Sequence, residues 1–234
     1  MRPVPLVTSL LALVVATAVP TTAAAATLSN PHPTMSRTVG SDASSSARAI
    51  DVRLRAAIRM LPVAREIRVG YDRELFRHWT DANGDCQDTR DEVLAAESLV
   101  QVSGCDITRG RWFSYYDATV WRDSGDVDVD HLVPLAEAWD SGARRWAGST
   151  RERYANDLRD HRTLVAVTDN VNSSKSDQDI AEWLPQYSHC RYLRSWVAVK
   201  VRWSLTVDRA EKRRLHELAT GCRNPILHVI RAPI

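Results

Sequence analysis

Two short polar segments place the strongest constraint on how this chain of 234 residues can fold. The first, residues 128–134 (Asp-Val-Asp-His-Leu-Val-Pro), sets a carboxylate beside a histidine. The second, residues 170–177 (Asn-Val-Asn-Ser-Ser-Lys-Ser-Asp), follows about forty residues later. Together they hold a hard oxygen ligand, a titratable nitrogen, an amide oxygen and a cation, which can place a divalent metal on a phosphate and activate water. We therefore expect the fold to bring both segments to one site for metal-dependent phosphodiester hydrolysis.

The first 26 residues have the features of a signal peptide. Arg2 is the one early charge, an apolar region extends over residues 6–19, and alanines at 23–26 offer cleavage sites. The competing interpretation, a membrane anchor, needs a longer segment with different flanks. Residues 27–48 are mostly Ser, Thr, Pro and Ala, and should form a flexible leader that buries too little surface to fold. We expect a secreted protein without a membrane segment in its mature form, whose residues 49–234 form one domain.

The four cysteines are expected to form disulfides, because the chain is exported. Four cysteines allow three connectivities, and the sequence leaves all three open. Pairing of nearest neighbours, Cys86 with Cys105 and Cys190 with Cys222, would close two modest loops on either side of the motif. Zinc binding is the alternative, but no Cys-x-x-Cys pair is present.

A net charge of +2 hides an asymmetric distribution of charged residues. Residues 71–140 hold 16 acidic residues against 6 arginines, whereas residues 191–234 hold 10 basic residues against 3 acidic ones. An acidic centre beside a basic tail suits a cation site that acts on a polyanion. Arginine binds phosphate bidentately, although a high arginine content can equally reflect genome composition, so the composition supports nucleic-acid binding only weakly.

The apolar spacing predicts a mixed α+β domain. Helices are expected at residues 48–60, 91–100, 134–139, 150–158, 177–183, 192–203 and 208–218. Strands are expected at residues 112–116, 118–121, 127–131 and 164–167, with a polar turn at 170–176. The order strand, insertion, strand, turn, helix around the two segments predicts a small hairpin and a helix that hold the site.

In combination, the two segments resemble the HNH, or ββα-metal, nuclease motif, including the HNH domain of RNA-guided CRISPR effectors. A longer pattern is similar to secreted actinobacterial proteins with a DUF1524 domain and to the C-terminal domain of GmrSD-type restriction endonucleases. The segments that carry this resemblance are residues 88–94, 130–139, 154–158 and 172–185. The resemblance implies a ββα-metal core, made of a hairpin and a helix, surrounded by helices and stapled by disulfides.

The resemblance also implies roles for individual residues. His131 would be the general base, with an ordinary pKa near neutrality, where a base is most useful. Asp130 and Asn172 would bind the metal, and Lys175 would neutralise a neighbouring phosphate. An oxygen-only, partly hydrated site favours Mg²⁺, with Mn²⁺ tolerated.

A further residue is expected to orient the general base. We prefer Asn156, with His161 and Thr163 as alternatives. Asp128 points to the same strand face as Asp130, and we interpret it as supporting the hairpin or the metal ligands.

An acidic loop at residues 81–92 has part of the spacing of a calcium-binding loop. Cys86 stands where such a loop needs glycine, so an acidic turn held by the Cys86 disulfide is the alternative. The candidate Ca²⁺ ligands are Asp81, Asn83, Asp85 and Glu92.

We predict a secreted, metal-dependent endonuclease that hydrolyses DNA, with RNA as a second substrate class. Little sequence specificity is expected, because the basic tail would contact phosphates rather than bases. We expect a monomer. The alternative is a non-catalytic exported module that binds calcium or nucleic acid on a degenerate nuclease fold.

Overall fold

The computed structural model describes residues 49–234, so the predicted signal peptide and leader lie outside the described residues. The strands are β1 (Ala49–Arg53), β2 (Arg109–Ser114), β3 (Thr119–Asp123), β4 (Val127–His131), β5 (Leu164–Thr168) and β6 (Ile226–Ile230). The α-helices are α1 (Leu54–Met60), α2 (Thr89–Glu97), α3 (Leu135–Asp140), α4 (Gly148–Ala155), α5 (Asp169–Lys175), α6 (His189–Arg202) and α7 (Arg209–Thr220). Short 3₁₀ helices occupy Arg73–Leu75, Ser124–Asp126 and Ala143–Arg145.

The strands pair into three two-stranded antiparallel sheets, β1 with β6, β2 with β3, and β4 with β5. Around them the helices build a mixed α+β domain, as predicted. The larger apolar core surrounds α6, in which 10 of the 14 residues are buried, including Trp196 and Leu193. A smaller core, which includes Leu94 and Trp112, lies between α2, β2 and the β4–β5 sheet.

The β4–β5 sheet and α5 form one continuous unit around the polar segments. Val127 pairs with Thr168 at one end of the sheet, and His131 pairs with Leu164 at the other. All five residues of β5 are buried, which explains its run of apolar side chains. Because α5 begins directly after β5, the second polar segment lies next to the first. The predicted order of two strands separated by an insertion is confirmed, but a helix follows β5 directly, without the predicted turn.

The turn predicted at residues 170–176 is wrong, because this segment is the helix α5. Asp169 lies in the first turn of α5, where a carboxylate is favoured by the helix dipole. Ser176 ends the helix with a φ of 51°. The helix predicted at residues 177–183 is also wrong, since these residues form turns.

The helix predicted at residues 48–60 is half correct. Its first part is the strand β1, in which Ile50 and Val52 lie opposite Val229 and Leu227 of β6. The partner strand lies about 175 residues further along the chain, so local periodicity cannot reveal it.

Two disulfides join Cys86 to Cys105 and Cys190 to Cys222, the nearest-neighbour pairing. No cysteine among residues 49–234 is free. All four sulfurs are used in disulfides, so the structure leaves no thiolates for the zinc alternative.

Candidate functional site

Asp130 lies in a buried ion pair at the end of β4. One carboxylate oxygen accepts a hydrogen bond from the Lys175 ammonium at 2.8 Å, and the other accepts one from the Tyr116 hydroxyl at 2.6 Å. Asp130 is 5% exposed and Lys175 is fully buried. Burial raises the pKa of Asp130 and lowers the pKa of Lys175, while their mutual attraction opposes both shifts.

This ion pair corrects the role expected for Lys175. Its ammonium also donates to the backbone carbonyl of His131 at 3.1 Å, so its hydrogen bonds hold the end of β4. A fully buried lysine bound to a carboxylate does not offer its charge to a substrate phosphate. A positive charge near His131 belongs to Arg73, an exposed residue that helps to lower the pKa of His131.

The imidazole of His131 is held in one tautomer. Its Nε2 lies 2.8 Å from the backbone carbonyl of Ala155, and because a carbonyl only accepts, Nε2 carries the proton and Nδ1 keeps the lone pair. The ring stacks on Trp79, with 5.3 Å between ring centroids. Burial lowers the pKa of His131 to about 3, so the expectation of an ordinary pKa near neutrality is wrong.

The side chain of Asn156 forms no hydrogen bond with His131 in the described part of the chain. Its amide oxygen accepts from the Thr80 backbone N–H at 3.1 Å, and its amide nitrogen donates to the carbonyls of Arg77 and Glu152, both at 2.8 Å. Asn156 thereby ties the end of α4 to the segment that carries Trp79. The His131 ring is oriented instead by the peptide carbonyl of the preceding residue, Ala155.

The two alternative orienting residues also point elsewhere. The Thr163 hydroxyl is fully buried and donates to Asp157 at 3.0 Å. His161 is exposed and lines a separate cavity beside α6. Neither forms a hydrogen bond with His131 in the described part of the chain.

Asn172 joins α5 to β4. Its amide nitrogen donates to a carboxylate oxygen of Asp128 at 3.0 Å, which leaves the amide oxygen free to accept or to ligate. Asp128 is partly exposed and faces the same side of the strand as Asp130. Asn172 and Asp128 carry oxygen ligands of the kind that a hard divalent cation prefers, whereas both carboxylate oxygens of Asp130 already accept hydrogen bonds. The Lys175 ammonium beside Asp130 opposes cation binding there, because its charge has the same sign.

Tighter carboxylate groups lie elsewhere in the described residues, and sequence reasoning missed them. Ligand atoms of Glu66, Asp179 and Asp208 lie within 4.8 Å of one another, as do those of Glu66, Glu137 and Glu211. Burial and these neighbouring carboxylates raise the pKa of Glu66 to about 7. The fully buried ammonium of Lys200 pairs with Glu137 and Glu211, which gives this cluster a structural explanation.

The acidic loop at residues 81–92 satisfies its own polar groups. Asp81 accepts from the backbone N–H groups of Gly84 and Cys86, at 2.7 and 3.1 Å. The Asn83 amide donates to Asp85 at 2.9 Å and to Glu92 at 3.2 Å. The disulfide between Cys86 and Cys105 links the loop to a later part of the chain. Calcium binding stays a prediction, which a calcium-dependent rise in the thermal midpoint would support.

A groove of about 1,170 Å³ begins beside Asn156 and Thr80, next to the elements that hold His131. Four arginines line it, and Arg202 is neutralised by Asp157 at 2.6 and 2.7 Å. The other three are Arg153, Arg159 and Arg231, all exposed. Glu152 also lines the groove, and the three exposed arginines still leave it with a net positive charge.

Several groups of the site were not predicted from the sequence. Tyr116 belongs to an aromatic run that predicts a strand, and nothing in that run shows that its hydroxyl reaches Asp130. The Ala155 carbonyl carries no side-chain signal at all. Asp128 was identifiable from its alternation with Asp130, although its contact with Asn172 depends on the packing of α5.

Residues 75–218 match the protein family described as GmrSD restriction endonucleases, C-terminal domain. A relative from Arthroderma benhamiae, described as an uncharacterized secreted protein, is 46% identical over 157 residues, which cover 65% of this chain and 76% of the relative. This relative bears out the expectation that the chain is secreted. Among residues 49–234, no helix is both long and apolar enough to cross a membrane.

No solved structure matches the chain. The narrower resemblance to actinobacterial proteins with a DUF1524 domain stays a prediction. The family match spans the whole β4–β5–α5 unit and every residue that contacts His131, Asp130 and Asn172 in the hydrogen bonds described above. The chain belongs to the family of GmrSD restriction endonuclease C-terminal domains.

Proposed function

We propose that this protein is a secreted, metal-dependent endonuclease whose β4–β5–α5 unit is a ββα-metal core. The observation that carries the proposal is the contact between Asn172 and Asp128, 3.0 Å long, which brings the two polar segments to one place. The family match supports phosphodiester hydrolysis as the reaction class, because the family is described by the restriction endonucleases that contain this domain.

His131 is the group that takes a proton from the attacking water. It is neutral at physiological pH, because burial lowers its pKa to about 3. The hydrogen bond from Nε2 to Ala155 directs the lone pair of Nδ1 away from that carbonyl, and stacking on Trp79 limits rotation of the ring. A low pKa keeps the imidazole in its neutral, basic form, but it also makes the imidazole a weaker base. Accurate placement of the attacking water must therefore account for more of the rate enhancement.

Asp130 and Asn172 would hold the metal, with Asp128 as a further carboxylate at the same edge. A bound Mg²⁺ or Mn²⁺ would stabilise negative charge on the scissile phosphate and on the leaving oxygen. Hydrogen bonds from Tyr116 and Lys175 fix the Asp130 carboxylate from two sides and oppose the rise in its pKa that burial causes.

The substrate class is nucleic acid, held by its phosphates. The exposed arginines of the groove beside Asn156, together with Arg73, supply positive charge without a base-reading element, so we expect DNA and RNA to bind with little sequence preference. The protein is proposed to act as a monomer.

The test is cleavage of plasmid DNA and of a mixed-sequence RNA by the purified mature chain. Cleavage with Mg²⁺ or Mn²⁺, and its loss on addition of EDTA, is the expected result. A chain that binds nucleic acid but does not cleave it under any divalent-metal condition would instead be the non-catalytic module of the alternative.

A further inference from the structure

A second cavity, of about 300 Å³, lies between the start of β5, α6 and the start of β6. We name it the α6 cavity. Its lining includes apolar residues, Val165, Pro225, Ile226 and Leu227, and basic residues, and we call these two groups the apolar and the basic wall. No acidic residue of the described chain lines the cavity. The basic wall consists of His161, Arg162, Arg191 and Arg194.

Two of these three arginines have no ion-pair partner among the described residues and can therefore bind an anionic ligand. Arg162 is neutralised by Asp160, with contacts of 2.7 and 2.6 Å. Arg191 and Arg194 form no ion pair with any residue in the range 49–234; Arg191 packs on an aromatic ring, and Arg194 donates to a backbone carbonyl. The cavity therefore holds two guanidinium groups that have no ion-pair partner among the described residues.

Both guanidinium groups are held in place before any ligand arrives. The guanidinium carbon of Arg191 lies 3.9 Å from the centroid of the Tyr115 ring, so its face is occupied and its N–H edge remains free. Arg194 donates through Nε to the carbonyl of Cys190 at 3.1 Å, which leaves its terminal nitrogens free. The disulfide of Cys190 with Cys222 anchors this end of α6.

The chemistry of the walls selects a phosphate monoester. A monoester carries about −1.5 to −2 charge near pH 7, which matches two guanidinium groups better than the single charge of a phosphodiester. The apolar wall offers contact for a sugar or base, and the cavity volume lies at the lower end of the range for ligand pockets, about 300–1,000 Å³. A group the size of one nucleotide is therefore favoured over a longer segment.

We propose that the α6 cavity binds the phosphate monoester of a nucleotide, free or at the end of a nucleic-acid strand. The choice of a nucleotide as the molecule that bears the phosphate rests on the proposed function. The location of the cavity near the candidate site supports this choice, because Val165 in the cavity wall pairs directly with Asp130 across the β4–β5 sheet.

The experiment measures binding in EDTA, so that no cleavage is needed. Fluorescently labelled dithymidine with a 5′-phosphate is titrated with the mature protein, and dithymidine without the phosphate is the matched probe. Wild-type protein should bind the phosphorylated probe more tightly. The variant Arg191→Ala/Arg194→Ala should weaken that binding at least about tenfold, because removing a charge-assisted hydrogen bond costs that much affinity or more. Arg209→Ala/Arg213→Ala, which removes two exposed arginines from α7, is the control and should bind as wild type does.

Competition by inorganic phosphate shows whether the cavity recognises free phosphate or the phosphate of a nucleotide. Displacement at similar concentrations assigns the cavity to free phosphate, and displacement only by the phosphorylated dinucleotide assigns it to nucleotides or strand ends. If the double variant loses its fold, Arg194→Glu alone replaces it, because Arg194 is exposed.

Equal binding of the two dithymidines by wild type would overturn the inference. The inference would also be overturned if the folded Arg191→Ala/Arg194→Ala variant still bound the phosphorylated dithymidine more tightly than the unphosphorylated one. A protein that binds the phosphorylated probe but never cleaves nucleic acid would keep this inference and refute the proposed nuclease function.

Discussion

At the scale of single residues, the buried pair of Asp130 and Lys175 shows how a motif residue changes role once the chain folds. A lysine in the pattern Asn-x-x-Lys suggests a cation for the substrate, yet here it compensates a carboxylate that would otherwise be buried without a partner. The same pair also holds the carbonyl of His131, so it positions the strand end that carries the candidate base.

The pair gives a prediction about stability. Lys175→Met leaves the Asp130 charge buried and unpaired, and should lower the free energy of unfolding by about 3–5 kcal/mol. Asp130→Asn/Lys175→Met removes both charges and should recover a large part of that decrease. Urea unfolding of the two variants and of wild type measures both effects. A single variant as stable as wild type would show that the ammonium is not bound as described.

At the scale of elements, Glu97 links α2 to β5 through a titratable contact. Its carboxylate accepts a hydrogen bond from the backbone N–H of Ala166 at 3.1 Å. Burial raises its pKa from 4.5 to about 7, and this hydrogen bond and the charge of Arg191 oppose the shift. Between those values the folded state keeps a proton that the unfolded state has lost. The protonated Glu97 carboxyl therefore makes its full contribution to the free energy of unfolding below pH 4.5. This contribution is lost as the pH rises through about 7.

Glu97→Gln should flatten this dependence. The amide oxygen can still accept from Ala166, whereas the cost of ionising a buried carboxyl is removed, which is at most about 3 kcal/mol. The difference in urea-unfolding free energy between pH 5 and pH 8 should be smaller in the variant than in wild type. Glu217→Gln, at an exposed glutamate of α7, is the control and should leave the difference unchanged. An unaltered difference in Glu97→Gln would contradict the assignment.

The two disulfides act on different elements. Cys86–Cys105 closes a loop of 19 residues around the acidic turn, and Cys190–Cys222 closes one of 32 residues between α6 and the end of α7. By loop-closure entropy, each should contribute about 3–4 kcal/mol. Replacing each pair by alanines and measuring urea unfolding tests this. Intact-mass analysis of the native secreted protein should show four hydrogens fewer than the reduced form, and four free thiols would contradict both bridges.

At the scale of the whole molecule, the elements with strong local patterns were predictable. The strands β4 and β5 and the buried helix α6 follow from alternation, apolar runs and helical spacing, and the order of β4 and β5 also predicts the hairpin. The helix α5 was not predicted, because its polar residues suggest a turn. The strand β1 was not predictable locally, because Ile50 and Val52 are extended only through pairing with β6.

The candidate site was predictable in its members but not in its contacts. Asp130, His131 and Asn172 lie in recognisable motifs. Their partners come from packing: the Tyr116 hydroxyl from the chain after β2, the Ala155 carbonyl from α4, and Asp128 through the position of α5. The same packing shifts the pKa of His131 far from its ordinary value, which no local pattern reveals.

The central claim is that the His131 imidazole is the base of a nuclease site. The most direct measurement is the rate of Mg²⁺-dependent plasmid cleavage by folded His131→Ala protein relative to wild type. Loss of a positioned base should lower the rate by about 10²–10⁴-fold, while circular dichroism and DNA binding in EDTA stay unchanged. Folded His131→Ala protein that cleaves DNA at the wild-type rate would contradict the claim and place the chemistry elsewhere in the molecule.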